Sequence, residues 1–90
     1  MKEREMVRTE CSMIAAEIIA LAIESKHSGI FVEWVSHTGA ICVRLHKGGW
    51  VEYDKPDMHR VSLNSADSLV NMAKLRDKVV SFIDSEKGVA

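Results

Sequence analysis

Histidine and cysteine are the side chains of this sequence that could hold a metal ion. A zinc site needs three or four such ligands converging in space, usually visible as short paired spacings. No two histidines lie within seven positions of each other, and the two cysteines stand 31 positions apart. The residues concerned are His27, His37, His46, His59, Cys11 and Cys42. We therefore predict no metal site, no cofactor and two reduced thiols.

Two smaller groupings could serve acid–base or nucleophilic chemistry. Asp54, Asp57 and His59 lie on either side of the single proline, but aspartates that cap a polar turn explain the same pattern without catalysis. Cys42 and His46 are four positions apart on a predicted strand, hence about 13 Å apart, too far for a nucleophile and its base. We predict no catalytic residue and expect that the protein is not an enzyme.

Composition predicts one small globular domain spanning residues 1–90, since 47% of the residues are hydrophobic and 28% are charged. The net charge of −1 argues against a nucleic-acid binder that relies on a large positive excess. The first ten residues mix three basic with three acidic side chains, unlike a signal peptide. The apolar run at 13–23 is shorter than the roughly 20 residues of a membrane span. We expect a cytoplasmic protein with no membrane contact.

The order of elements predicts an α+β fold. A stretch without glycine or proline predicts a helix over about 2–26, ended by Gly29 as the C′ residue. Aromatic and β-branched runs predict strands at about 30–36, 40–46 and 50–54, and a short fourth strand at 58–63 stays open. Asn64 or Ser65 then caps a second helix over about 65–86. The result is a two-layer α-β-β-β(-β)-α sandwich, an antiparallel meander with both helices packed on one face.

A two-residue turn at Thr38-Gly39 predicts the register of the first hairpin. Counting outward from that turn places Glu33 opposite Arg44, a favourable cross-strand charge pair. One face of the hairpin is then nearly all apolar, comprising Ile30, Val32, Trp34, Ile41, Val43 and Leu45.

Arg76 and Glu17 are charges in apolar surroundings. At 100° per residue, Arg76 falls within the apolar arc of the second helix, and Glu17 is the only charge in the run at 13–23. An unpaired buried charge costs several kcal/mol, so we predict a structural ion pair between them, within the chain or across a dimer interface. A partner-binding charge is the alternative reading.

The first helix is apolar over an arc about twice the width that one packed face requires. Val7, Ile14, Ile18 and Leu21 suffice to cover the sheet. The predicted dimer interface lies outside that stripe and comprises Ala15, Ala16, Ile19 and Ile23. Homodimers are the commonest oligomers, so we expect a homodimer with this helix at or beside its interface.

These patterns favour a small non-enzymatic interaction domain with an unidentified protein partner. Compact domains of this kind are common among phage and prophage accessory proteins. The alternative function is a nucleic-acid-binding module that uses the hairpin and the 44–60 segment, through aromatic stacking and charge. The alternative binding face comprises Phe31, Arg44, His46 and Tyr53.

Overall fold

The start of the chain, free of glycine and proline, forms one long helix, α1 (Lys2–Ser25), in the computed structural model, which describes residues 2–52 and 55–87. Lys26 follows with φ of 58°, the left-handed conformation that ends many helices. The prediction that Gly29 is the C′ residue of this helix is therefore wrong. Gly29 is instead buried where the chain enters the first strand.

Three strands follow α1: β1 (Ile30–Val35), β2 (Ala40–Leu45) and β3 (Asp57–Ser62). They form an antiparallel sheet in the order β1-β2-β3, and α2 (Ser68–Lys87) completes the described chain. The protein therefore has an α+β fold with two helices and a three-stranded antiparallel sheet. That much of the predicted fold class is confirmed.

The hairpin register differs from the predicted one by two residues. Val35 pairs with Ala40, so Glu33 lies opposite Cys42 rather than Arg44. The loop has four residues because Thr38 N–H donates to the Val35 carbonyl, and the next amide donates to the carbonyl of residue 36. A shift of two preserves the alternation of side chains, so the predicted apolar face keeps its members.

The predicted strand at 50–54 is wrong over the part that the structure describes, and residues 53 and 54 lie outside the described residues. Gly48 and Gly49 have φ of 75° and 97°, which turns the chain away from β2. The Trp50 amide then donates to Ser28 Oγ instead of to a neighbouring strand. The strand beside β2 is β3, which occupies the segment left open at 58–63.

The second helix begins at Ser68, three residues beyond Ser65, so neither Asn64 nor Ser65 is its cap. Residues 64–67 form turns, in which Ser65 Oγ accepts the Asp67 amide at 3.2 Å. Asn64 serves another purpose, because its Oδ1 accepts a hydrogen bond from Arg8 of α1 at 3.0 Å.

The hydrophobic core joins both helices to the sheet. Its β2 members alternate along the strand, and its β3 member, Val61, pairs with Ile41, so all of them share one side of the sheet. Val7, Ile14 and Leu21, three of the four α1 residues expected to cover the sheet, pack against this core, and Ile18 is fully buried in it. The buried members are Cys11, Ile18, Ile41, Val43, Leu45, Val61, Met72, Leu75, Val79 and Ile83.

Gly29 marks a close approach of two backbone segments. A Cβ atom there would lie 2.3 Å from the His46 carbonyl oxygen, and that segment is fixed because the His46 amide donates to the Gly29 carbonyl at 2.8 Å. We expect Gly29→Ala to lower the free energy of unfolding by about 2–3 kcal/mol, measured by urea denaturation. Gly48→Ala is the control, since its Cβ meets nothing within 4 Å and only its φ of 75° opposes alanine. That substitution is expected to cost about 1 kcal/mol. Equal losses in the two variants would contradict this prediction.

Candidate interaction surfaces

The outer side of α1 exposes large apolar side chains along most of its length. Met6, Met13, Ile19 and Ile23 are exposed to 62%, 63%, 46% and 71%. Ala16 and Ala20 lie between them and are also exposed. At 3.6 residues per turn these six positions fall within an arc of about 140°. We call this surface the α1 strip: Met6, Met13, Ala16, Ile19, Ala20 and Ile23.

The α1 strip contains three of the four residues expected at an interface. Ala16, Ile19 and Ile23 are exposed on it, but Ala15 is half-buried and packs against the core. Ala15 faces inward because it lies one turn after Cys11, which is fully buried. Met6 and Met13 were not among the predicted residues. Their spacing of seven, continued by Ala20, is the heptad signal that could have identified them.

Glu17 and Arg76 lie at the border between the two helices. Arg76 Nη1 donates to Glu17 Oε2 at 3.1 Å, and the two side chains are 33% and 54% exposed. Because both groups keep contact with water, the contact is a surface ion pair rather than a buried one. Both charges therefore have a partner within one copy of the chain.

Phe31 and Arg44 meet on the sheet face opposite the core. The Arg44 guanidinium lies 4.9 Å from the centre of the Phe31 ring, a cation–π contact. His46 contacts the same ring edge-on at 5.4 Å, but it is only 5% exposed and thus not available to a ligand. Tyr53, the fourth residue of this predicted face, lies outside the described residues.

A polar cluster ties the end of α2 to the segment after α1. Glu86 Oε1 accepts hydrogen bonds from His27 Nε2, at 2.8 Å, and from the Gly48 amide. The Gly29 amide donates to His27 Nδ1 at 3.0 Å, which fixes the ring as the neutral tautomer with its proton on Nε2. The Gly48 amide, then His27, then the charge of Lys47 lower the pKa of Glu86, against an opposing effect of burial.

Asp57 and His59 form a second cluster, on β3. His59 Nε2 lies 2.9 Å from Asp57 Oδ2, and Lys78 Nζ lies 3.3 Å from His59 Nδ1. Lysine donates to Nδ1, so Nε2 carries the proton that Asp57 accepts. Both ring nitrogens of His59 are in hydrogen bonds, and so are both ring nitrogens of His27. Neither histidine therefore has a ring nitrogen available to accept a proton from a substrate. Asp54, the other carboxylate of the predicted grouping, lies outside the described residues.

The remaining candidate chemistry rests on metal ligands and thiols. Within residues 2–52 and 55–87, no three histidine, cysteine, aspartate or glutamate side chains come together as a ligand set. Cys11 is buried in the core, and Cys42 is half-buried on the sheet. Neither helix, over its described length, combines the extent and apolar composition needed to cross a bilayer. Comparisons with protein-family models, curated proteins and solved structures give no match.

The ion pair between Glu17 and Arg76 can be tested by a double-mutant cycle. We expect Glu17→Gln and Arg76→Met to couple by about 0.5 kcal/mol in urea unfolding, the magnitude of a solvent-exposed pair. Raising the salt concentration should reduce the coupling, because salt screens exposed charges. A coupling of zero within error at low salt would contradict the contact.

The lowered pKa of Glu86 predicts a pH-dependent contribution to stability. A carboxylate whose pKa is lower in the folded than in the unfolded state stabilises above its unfolded pKa, and the effect disappears as pH falls through the folded pKa. We therefore expect Glu86→Gln to reduce the urea midpoint at neutral pH, with a difference from wild type that closes on acidification. Glu52→Gln, at an exposed loop position, is the control and should give no such pH-dependent difference. A constant difference across this pH range would rule out the charge of Glu86 as the cause.

Proposed function

We propose that the protein is a non-enzymatic interaction domain that forms a homodimer through the α1 strip. The observation that carries this proposal is the exposure of four large apolar side chains on one side of a helix whose other side is already in the core. Soluble monomers rarely leave a large contiguous apolar surface in water, and such surfaces mark interaction sites.

The residue types of the α1 strip suit helix–helix contact. Ala16 and Ala20 are small and one turn apart at its middle, so a second helix can approach to about 8–10 Å. The isoleucines and methionines flank them and can interdigitate with their copies. A two-fold axis brings the same strip onto itself, which closes the assembly at two chains. The pairing of Glu17 with Arg76 offsets one charge at the side of this strip nearest α2.

The proposal takes both helices to cover the same face of the sheet. It is supported by the core, which draws residues of α1, α2 and a single side of β2 and β3 into one cluster. With that face occupied, nothing within residues 2–52 and 55–87 covers the exposed residues of the α1 strip. We place the protein in a reducing cytoplasm, a setting that suits two free cysteines.

Oligomeric state tests this proposal directly. Sedimentation equilibrium at micromolar concentration should give twice the chain mass of 10.1 kDa. Ile19→Glu places a charge in the α1 strip and should give a monomer with an unchanged circular dichroism spectrum, because Ile19 is not in the core. Val70→Glu is the matched control: it changes an exposed apolar residue of α2 in the same way and should remain a dimer.

Two results would overturn the proposal. A wild-type particle of single-chain mass at micromolar concentration excludes a stable homodimer. A dimer that persists in Ile19→Glu moves the interface away from α1, and Phe31 and Arg44 then lie on the next surface to test.

A nucleic-acid-binding module is the second candidate function. Its support is the stacking of Arg44 on Phe31, next to Arg60, which the sheet register places diagonally across from Arg44. Stacking and cationic groups on an open sheet face can hold single strands. Binding of an oligonucleotide that weakens steeply with salt, and that Arg44→Ala reduces, would favour this function over the first.

A further inference from the structure

β3 lies at the edge of the sheet and has β2 as its neighbour on one side only, in the strand order β1-β2-β3. In an edge strand, every second residue directs its backbone N–H and C=O away from the sheet, where another strand can bind them. Asp57–Ser62 is six residues long, a usual length for strand pairing. The outer edge of β3 can therefore form backbone hydrogen bonds with an added strand.

Side chains of α2 lie beside β3 and form a groove with it. One cavity, of about 180 Å³, lies between His59, Arg60 and Val61 of β3 and the α2 residues Lys74 and Lys78. A second cavity, of about 420 Å³, shares His59 and Lys78 with the first and continues toward the start of β3. Together they follow the length of the strand.

The charge of the first cavity differs from that of the whole chain. Its described lining includes the two lysines Lys74 and Lys78 of α2 and no carboxylate, whereas the chain carries a net charge of −1. The second cavity has two lysines and two aspartates in its described lining and is balanced. The positive charge is thus concentrated beside the later residues of β3, where it attracts an acidic group.

The spacing of the lysines matches that of a strand. Lys74 and Lys78 are one helical turn apart, about 6 Å along the axis of α2. Residues i and i+2 of an extended strand lie on one face about 6.6 Å apart. A strand that pairs with β3 and carries acidic residues at alternate positions can therefore place one carboxylate beside Lys74 and another beside Lys78.

We propose that the groove between β3 and α2 binds an extended peptide with acidic residues at alternate positions, which adds to the sheet as a strand beside β3. Backbone hydrogen bonds to the edge supply affinity, and the lysines select the acidic sequence, as in other strand-addition complexes. This site does not involve the α1 strip, so the Ile19→Glu variant should bind the peptide as the wild type does.

The probe is a fluorescein-labelled octapeptide of alternating threonine and glutamate, titrated with the protein and followed by fluorescence anisotropy. We expect saturable binding that weakens with added salt. Lys74→Glu with Lys78→Glu should weaken it about tenfold or more, since charge reversal replaces two attractions by repulsions. Lys74→Glu alone leaves the contact between Lys78 and His59 intact and should give a smaller loss. Lys55→Glu with Lys87→Glu makes the same change of net charge outside the described lining of either cavity and should leave binding unchanged.

Two further probes separate strand addition from simple charge attraction. Peptides N-methylated at alternate residues lose the amide donors of one edge or of the other. One of the two should lose binding and the other should keep it, because β3 can pair with a single edge. Equal binding of both methylated peptides, equal loss in the two double variants, or equally tight binding of a single-stranded oligonucleotide would each overturn the proposal.

Discussion

A helix of 24 residues lies against strands of six, and only one side of that helix packs into the core. The helix is about 36 Å long, whereas each strand spans about 20 Å. The molecule is accordingly elongated, with extents of 48 × 24 × 18 Å. One side of α1 packs into the core against the sheet. The other side of the helix faces away from the sheet, which therefore cannot cover it. The apolar residues on the outer side of α1 therefore remain in water within the part of the chain that the structure describes.

The ends of the elements are held by polar contacts between distant parts of the chain. Glu86 joins α2 to His27 and to the turn at Gly48, and Asn64 joins the turns that precede α2 to Arg8. These contacts lie at opposite ends of α2. These polar contacts fix the orientation of α2 relative to the sheet. The apolar residues of α2 that lie between them are the ones that pack in the core. Loss of either contact should loosen one end of the helix without dissolving the core.

Local patterns in the sequence predicted both helices, two of the strands and the sides of the hairpin. The alternation of apolar residues survives a register error of two, so the buried face was predicted although the partner of Glu33 was not. Of the strand expected at 50–54, the described residues 50–52 form no strand, because the positive φ at Gly48 and Gly49 outweighs the preferences of the residues that follow. The α1 strip was predictable in part from the width of its apolar arc. The hydrogen bond between His27 and Glu86 joins residues 59 positions apart. It could not be predicted, because such a contact produces no periodic pattern in the sequence.

The basic side chains beside β3 also decide what that edge excludes. An unpaired strand can recruit copies of itself without limit, and this is how many folded proteins begin to aggregate. If two β3 edges met, Lys74 and Lys78 of one copy would come close to the same lysines of the other, and the like charges would repel. The lysines that are proposed to select an acidic strand would therefore also oppose the growth of fibrils along this edge. In that case one set of positive charges determines both which strand can bind to β3 and whether copies of the protein aggregate.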